Sequence, residues 1–316
     1  MFAARGIAVS LSVFSLLYVA LSLSVCCLWR RIWLYSQRFR AKRCANLLFA
    51  WRMLPLATAA ASTLILAVPS FLLLEPRATD ERVGAAPLVL GFFGFMILAA
   101  GAGNAILALV RASKTMARWN SDASVARSFG RILLLRGSRA FPTLVAAGIL
   151  RPKVLLSHRA EIVLTPKELQ TALQHELAHV RRLDNLRKLL IRFAAFPGMA
   201  ELESSWRQAS EMAADDAAVF SASEALDLAA ALIKLSRLGP LEPPGELTTA
   251  LVHSPAESVN ARVERLIAWT DQRQIPAGGY SLVYAACGAA VMLATVAVNY
   301  SGLLIQVHAA TEWLVR

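Results

Sequence analysis

The sequence predicts a mainly α-helical membrane protein with four transmembrane helices and one cytoplasmic α+β domain. That domain carries a small sheet and an H-E-x-x-H helix. Three observations lead there. The chain is 57% hydrophobic with mean hydropathy +0.51, too apolar for a water-soluble globule. Four apolar stretches flank a single polar region. Within that region His175-Glu176-Leu177-Ala178-His179 spells H-E-x-x-H in a helical context. Length alone allows two soluble domains, but composition argues against them.

Residues 7–29 carry no charge and are long enough to cross an apolar core of about 30 Å. No A-x-A site follows, and the basic residues come after the stretch more heavily than before it. An uncleaved first span is therefore expected rather than a signal peptide. Arg30, Arg31, Arg38, Arg40, Lys42, Arg43 and Arg52 follow without an acid, which places this loop in the cytoplasm and the N-terminus outside. Residues 53–74 form the second span, with Pro55 and Pro69 near its ends, and 88–110 the third. Gly91, Gly94, Gly101 and Gly103 would let another helix approach the third span closely, and Asn104 is expected to hydrogen-bond between helices. The fourth span is expected at 281–304, returning the C-terminus to the outside. The division is thus 1–110 for three spans, 111–275 for the cytoplasmic domain, and 276–316 for the fourth span and a short tail.

The net charge of +12 gathers beside apolar spans, so it reads as membrane orientation, and no direct nucleic-acid binding is expected. The spans carry almost no ionisable side chains, which argues against a transporter or channel. Cys26, Cys27, Cys44 and Cys287 form no C-x-x-C pair and read as small core residues.

In the polar region, residues 131–136, 143–147 and 153–157 read as short strands before the active-site helix. A strand beside a catalytic cleft can pair with an extended peptide. Thr165 caps the helix, Pro166 suits its first position and Glu168 completes a capping box. No Pro or Gly interrupts before Asp184. Residues 185–196 form a basic amphipathic helix that either lies on the membrane or packs on the catalytic helix. Helices follow at 199–220, at 224–238 and from Ser254 to about Thr270.

Positions four apart share a helix face, so His175 and His179 can reach one metal ion while Glu176 reaches water beside it. Hydrolytic zinc sites need this set, usually with a third protein ligand. Glu211 is the candidate, four residues before Asp215 in an Ala-rich helix where unpaired carboxylates are costly. Asp215 would then hydrogen-bond a ligating imidazole and fix its tautomer. If Glu211 is not the ligand, Asp215 or Asp184 is next. Asp216 points elsewhere and has no assigned role. His253 or Arg262 can stabilise the oxyanion, and His158 is read as structural.

HELAHVRRLD (His175–Asp184) followed by EMAAD (Glu211–Asp215) resembles the membrane zinc peptidases of the M56 family, which include the BlaR1/MecR1 β-lactam-sensing transducers. The match extends to AGILRPKVLLS (Ala147–Ser157) and RVERL (Arg262–Leu266). The sequence is less closely similar to the Ste24/HtpX (M48) group. The resemblance implies a zincin-like (gluzincin) domain with one Zn2+ per chain, held by His175, His179 and Glu211. Glu176 is then general base and later acid. It also implies peptide-bond hydrolysis in a protein substrate, a repressor or a membrane protein, at the cytoplasmic face of the inner membrane. The transducers carry a penicillin-binding sensor after the fourth span. Only a short tail follows here, so β-lactam sensing is not carried over. Quality-control proteolysis and a non-catalytic zinc-binding scaffold are the competing expectations.

Overall fold

The computed structural model describes residues 2–76, 84–121, 124–129, 132–137, 143–149, 151–238, 247–251, 256–269 and 295–315. The chain is mostly helical with one small mixed sheet. Among the described residues three helices are long and apolar enough to cross a membrane: α1 (Phe2–Ser36), the continuous run Ala41–Leu74, and α4 (Ala85–Ser121). They have 34 to 37 residues, and at ~1.5 Å per residue each is about 50–55 Å long. Each therefore exceeds the bilayer core by several turns, which the apolar stretches in the sequence understate. The expected fourth span, 281–304, lies mostly outside the described residues; a helix at Tyr300–Val315 (α11) begins near its end and runs through residues expected as a tail.

Two compact units are distinguished. The first comprises residues 1–25, 54–100 and 272–316. Its helices touch through small residues. A Cβ on Gly94 would sit 2.5 Å from the Leu11 carbonyl oxygen, and one on Gly91 would sit 2.8 Å from that of Ala8. Here α1 and α4 approach backbone to backbone, and Ser12 and Ser15 donate to the carbonyls of Pro87 and Leu90. Gly103 meets nothing, and Asn104 is exposed without a hydrogen bond among the described residues. A polar or small residue in a span marks a contact only on the face that a neighbour covers, and α4 turns these two outward. The second run breaks register at Pro69. α2 (Ala41–Ser62) passes into a π-helical turn, Thr63–Ala67, and then α3 (Val68–Leu74). Pro69 has no N–H for the Ile65 carbonyl four residues back. The Tyr300 hydroxyl donates to that oxygen instead, at 2.7 Å.

The second unit comprises residues 26–53 and 101–271. Its sheet has the order β1-β2-β4-β3-β5, with β1 Ser124–Phe129, β2 Ile132–Gly137, β3 Leu144–Ala147, β4 Lys153–Ser157 and β5 Thr248–Ala250. Only the β2–β4 pairing is parallel. β2, β3 and β4 match the three expected strands; β1 and β5 were not legible in the sequence. After the short α5 (His158–Val163) comes α6 (Pro166–Arg181), then α7 (Asp184–Phe193), α8 (Ala200–Ala218), α9 (Ala222–Leu238) and α10 (Ala256–Ile267). Leu144, Ala146, Val154, Leu156, Ala172 and Leu228 belong to one core between the sheet and these helices.

α6 begins as expected: Thr165 and Glu168 form a reciprocal capping box, and Lys234 of α9 holds the Glu168 carboxylate at 2.8 Å. It ends earlier than the sequence predicts. Leu183 takes a left-handed conformation (φ 56°), a backbone state that costs of order 1–3 kcal/mol for a non-glycine residue. No glycine signals this break. It turns Asp184 back toward the helix, where its carboxylate meets His179. The α7 helix is packed rather than free at a surface: Ile191 is buried, and Gly101 of α4 lies against the Phe193 backbone. Arg52, expected as a loop cation, is buried and bound to Glu203 and to the Ala194 carbonyl.

Candidate metal centre

α6 brings His175 and His179 to one face, where their Nε2 atoms lie 3.1 Å apart. α8 brings Glu211 to the same point, with Oε2 3.5 Å from His175 Nε2 and Oε1 3.5 Å from His179 Nε2. Nitrogen and oxygen donors bonded to one zinc at ~2.0–2.1 Å in tetrahedral array lie about 3.3 Å apart. The three separations bracket that value, so the donor set fits a single zinc ion.

The outer nitrogens explain the inward lone pairs. His175 Nδ1 lies 2.9 Å from Asp215 Oδ1, and His179 Nδ1 lies 2.7 Å from Asp184 Oδ2. Asp184 hydrogen-bonds His179 Nδ1 and Asp215 stands at ion-pair distance from His175 Nδ1; a proton on each Nδ1 leaves both Nε2 atoms as acceptors facing each other. Two such lone pairs at 3.1 Å repel unless a cation or a proton lies between them. Burial disfavours a charged His179, but the Glu211 carboxylate and the Asp184 hydrogen bond outweigh it and push the imidazole up to about 9. Burial likewise opposes ionisation of Glu211, yet the His179 charge and Arg262 hold it well below the usual carboxylate range.

Asp215 is fully buried. Burial would raise it, but Arg262 holds it ionised. Nε and Nη2 of Arg262 donate to the two carboxylate oxygens at 2.8 and 2.6 Å. Its Nη1 donates to the Leu251 carbonyl at 2.9 Å and lies 3.1 Å from Glu211. Every nitrogen of this guanidinium is engaged, which removes Arg262 from the two candidates for the oxyanion role, neither of which the sequence singled out. The other candidate, His253, lies outside the described residues. His158 is exposed at the start of α5, 4.0 Å from Glu161, so it is a surface group and not a core one. Asp216 pairs with Arg265 away from the cluster.

Glu176 is fully buried beside the imidazoles. Its Oε2 accepts from the Ala146 N–H of β3 at 3.0 Å and from the Thr249 hydroxyl of β5 at 3.3 Å. Its Oε1 has no hydrogen-bond partner among the described residues. Burial raises its pKa against the opposing pull of the two imidazoles, which suits a proton acceptor. Both edges of β3 are occupied, by β4 and β5, so the strand nearest Glu176 offers no free edge to a peptide. Lys188 of α7 donates to the Thr248 carbonyl at 2.6 Å and ties β5 in place.

The structure thus brings His175, Glu176, His179, Glu211 and Asp215 together. Sequence reasoning missed Asp184 as the partner of His179, having held it only as a reserve ligand. It also missed Ser210, whose hydroxyl donates to Asp184 at 2.7 Å, and the Ala146 and Thr249 donors to Glu176. The one available signal was Asp184 itself, a lone acid two residues after the basic Arg181-Arg182 pair.

Long apolar helices together with a buried two-imidazole, one-carboxylate cluster and the adjoining Glu176 carboxylate are what a membrane-associated metallopeptidase requires. The family model described as BlaR1 peptidase M56 matches residues 89–266, more than half of the chain. The chain belongs to that family, and the match spans every residue of the cluster. No curated protein matches the sequence at a significant level.

Proposed function

We propose that this chain is an integral-membrane zinc endopeptidase that cleaves a protein substrate at the cytoplasmic membrane face in a regulatory step. Its zinc ligands are His175, His179 and Glu211, and its general base is Glu176. The observation that carries the reading is the convergence of two Nε2 atoms and the Glu211 carboxylate at 3.1 to 3.5 Å, with Glu176 Oε1 unengaged alongside. The basic run from Arg30 to Arg43 supports a cytoplasmic site and an outside N-terminus.

Bound zinc supplies a Lewis acid for the scissile carbonyl and lowers the pKa of water toward roughly 7. The chain's own groups do the rest. Asp184 and Asp215 keep the Nδ1 protons in place, so both imidazoles present Nε2. The Ala146 N–H and Thr249 hydroxyl fix Glu176 Oε2, leaving Oε1 to accept a proton from the attacking water. Oε1 then returns that proton to the leaving amine. Burial of the cluster strengthens each of these interactions.

The test is zinc content and peptide cleavage in detergent-purified protein. Wild type should hold about one zinc per chain, and Glu211→Ala much less. Glu176→Gln should retain zinc and lose cleavage. Cleavage surviving in Glu176→Gln overturns the general-base assignment. Zinc retained by Glu211→Ala moves the third ligand to another carboxylate, and zinc without hydrolysis in the wild type leaves a scaffold.

A further inference from the structure

We propose that Arg187 is a positioning residue for the ligand His179, and that Asn46 and Phe49 of α2 set its position. The inference rests on the metal reading above and deepens it, because it makes an apolar helix part of the support of the metal centre.

The chain of contacts is short. Asp184 is buried. Its Oδ2 is fixed by His179 Nδ1 and Ser210 Oγ, both at 2.7 Å, with Arg182 Nε at 3.6 Å. Its Oδ1 has no hydrogen-bond partner. The cation facing that oxygen among the described residues is Arg187, with Nη1 at 3.9 Å. Arg187 therefore restrains rotation of the carboxylate that orients His179. It does not itself touch the metal ligands.

Arg187 is held from α2. Its Nη1 donates to Asn46 Oδ1 at 2.9 Å, and its guanidinium lies 5.2 Å from the centre of the Phe49 ring. Asn46, Phe49 and Arg52 recur every three residues and so share one face of α2. Phe49 also meets Trp206 of α8, with ring centres 6.2 Å apart. Arg52 binds Glu203 near the start of α8 and the Ala194 carbonyl at the end of α7. One face of α2 thus grips both helices behind the cluster: α7, which begins at Asp184, and α8, which carries Ser210, Glu211 and Asp215. A small shift of α2 reaches His179 through three polar contacts, Asn46 to Arg187, Arg187 to Asp184 and Asp184 to His179.

The test uses the full-length protein in detergent. Zinc affinity is read by competition with a chromophoric chelator, and ligand geometry by the visible spectrum of the Co2+-substituted protein. Arg187→Gln should weaken zinc roughly tenfold, the lower end of the range for groups that orient a ligand from outside. Asn46→Ala, which contacts neither ligand nor Asp184, should weaken it about threefold. Both should alter the cobalt spectrum. The double variant should be no weaker than Arg187→Gln alone, since Asn46 acts through Arg187. Arg187→Lys, which keeps the charge but not the fork, should fall between wild type and Arg187→Gln. Zinc affinity within twofold of wild type and an unchanged cobalt spectrum in Arg187→Gln overturn the inference, as does additivity in the double variant. A wild type that loads and cleaves beside indifferent variants overturns this inference alone. A wild type that binds neither metal overturns the metal reading, and this with it.

Discussion

Replacing Arg262 by methionine keeps the volume of the side chain and removes its charge. Three buried acceptors then lose their donor together: the two oxygens of Asp215 and the Leu251 carbonyl. Glu211 loses a cation at 3.1 Å. Breaking a buried ion pair from one side costs about 3–5 kcal/mol, because the other charge stays buried. For a folded unit of this size, each kcal/mol shifts the thermal midpoint by roughly 2–4 °C, so R262M should melt about 6–20 °C below wild type. The pH dependence gives a second signature. Asp215 is held below its ordinary value in the folded chain, so its contribution is present above the unfolded value of 3.8 and is lost as pH falls through the folded one. In R262M the same carboxyl stays buried with His175 Nδ1 at 2.9 Å beside it but without its cation, and protonates more readily. The gap between the two proteins should therefore be widest near neutrality and narrow in acid. The assay is thermal unfolding of metal-free protein in detergent at matched scan rates, across pH. A midpoint shift below about 3 °C at neutral pH would refute the reasoning, as would a gap that widens in acid.

Further outcomes follow from the same geometry. Zinc loading at about pH 7.5 should release about one proton, because His179 is pushed up to about 9 without metal and must give up that proton to bind. Calorimetry in buffers of different ionisation enthalpy reads this, and zinc binding without proton release would contradict it. The sign for the metal-free chain follows from the raised value: the stability that protonated His179 contributes is full below about 6.5 and is lost as pH rises through about 9. Asp184→Asn should weaken zinc by about ten- to a hundredfold, read by the same chelator competition, and unchanged affinity would sink its assigned role. Gly94→Leu should destabilise the first unit, because its side chain would collide with the Leu11 backbone. Faster thermal aggregation in detergent checks it, and a silent variant would contradict the close approach of α1 and α4.

Much of the site was legible because its signals are local. The α6 helix is written in a capping box and an apolar stripe within a few turns, and the spacing of His175 and His179 fixes one face of it. Glu211 and Asp215 share a face for the same reason. The long spans follow from uncharged stretches, and β2, β3 and β4 from short apolar runs bounded by Gly and Pro. The strands missed were weaker as patterns. β1 reads SVARSF, with polar residues at both faces, and β5 has three residues, so only their partners define them.

The sequence by itself determined that this is a membrane chain with an H-E-x-x-H helix and a carboxylate helix able to complete it. Helical periodicity, capping and hydrophobic length act between residues a few positions apart. The tertiary structure decided what those groups do. Arg262 became the buried partner of Asp215 across 47 residues, Glu176 was tied to Ala146 across 30, and Arg187 was seated on Asn46 across 141. Leu183 adopted a left-handed turn that no glycine announced. These pairings rest on burial, where a charge or polar atom must find a partner or pay heavily for lacking one. Which partner it finds depends on which elements pack together, and no local pattern encodes that.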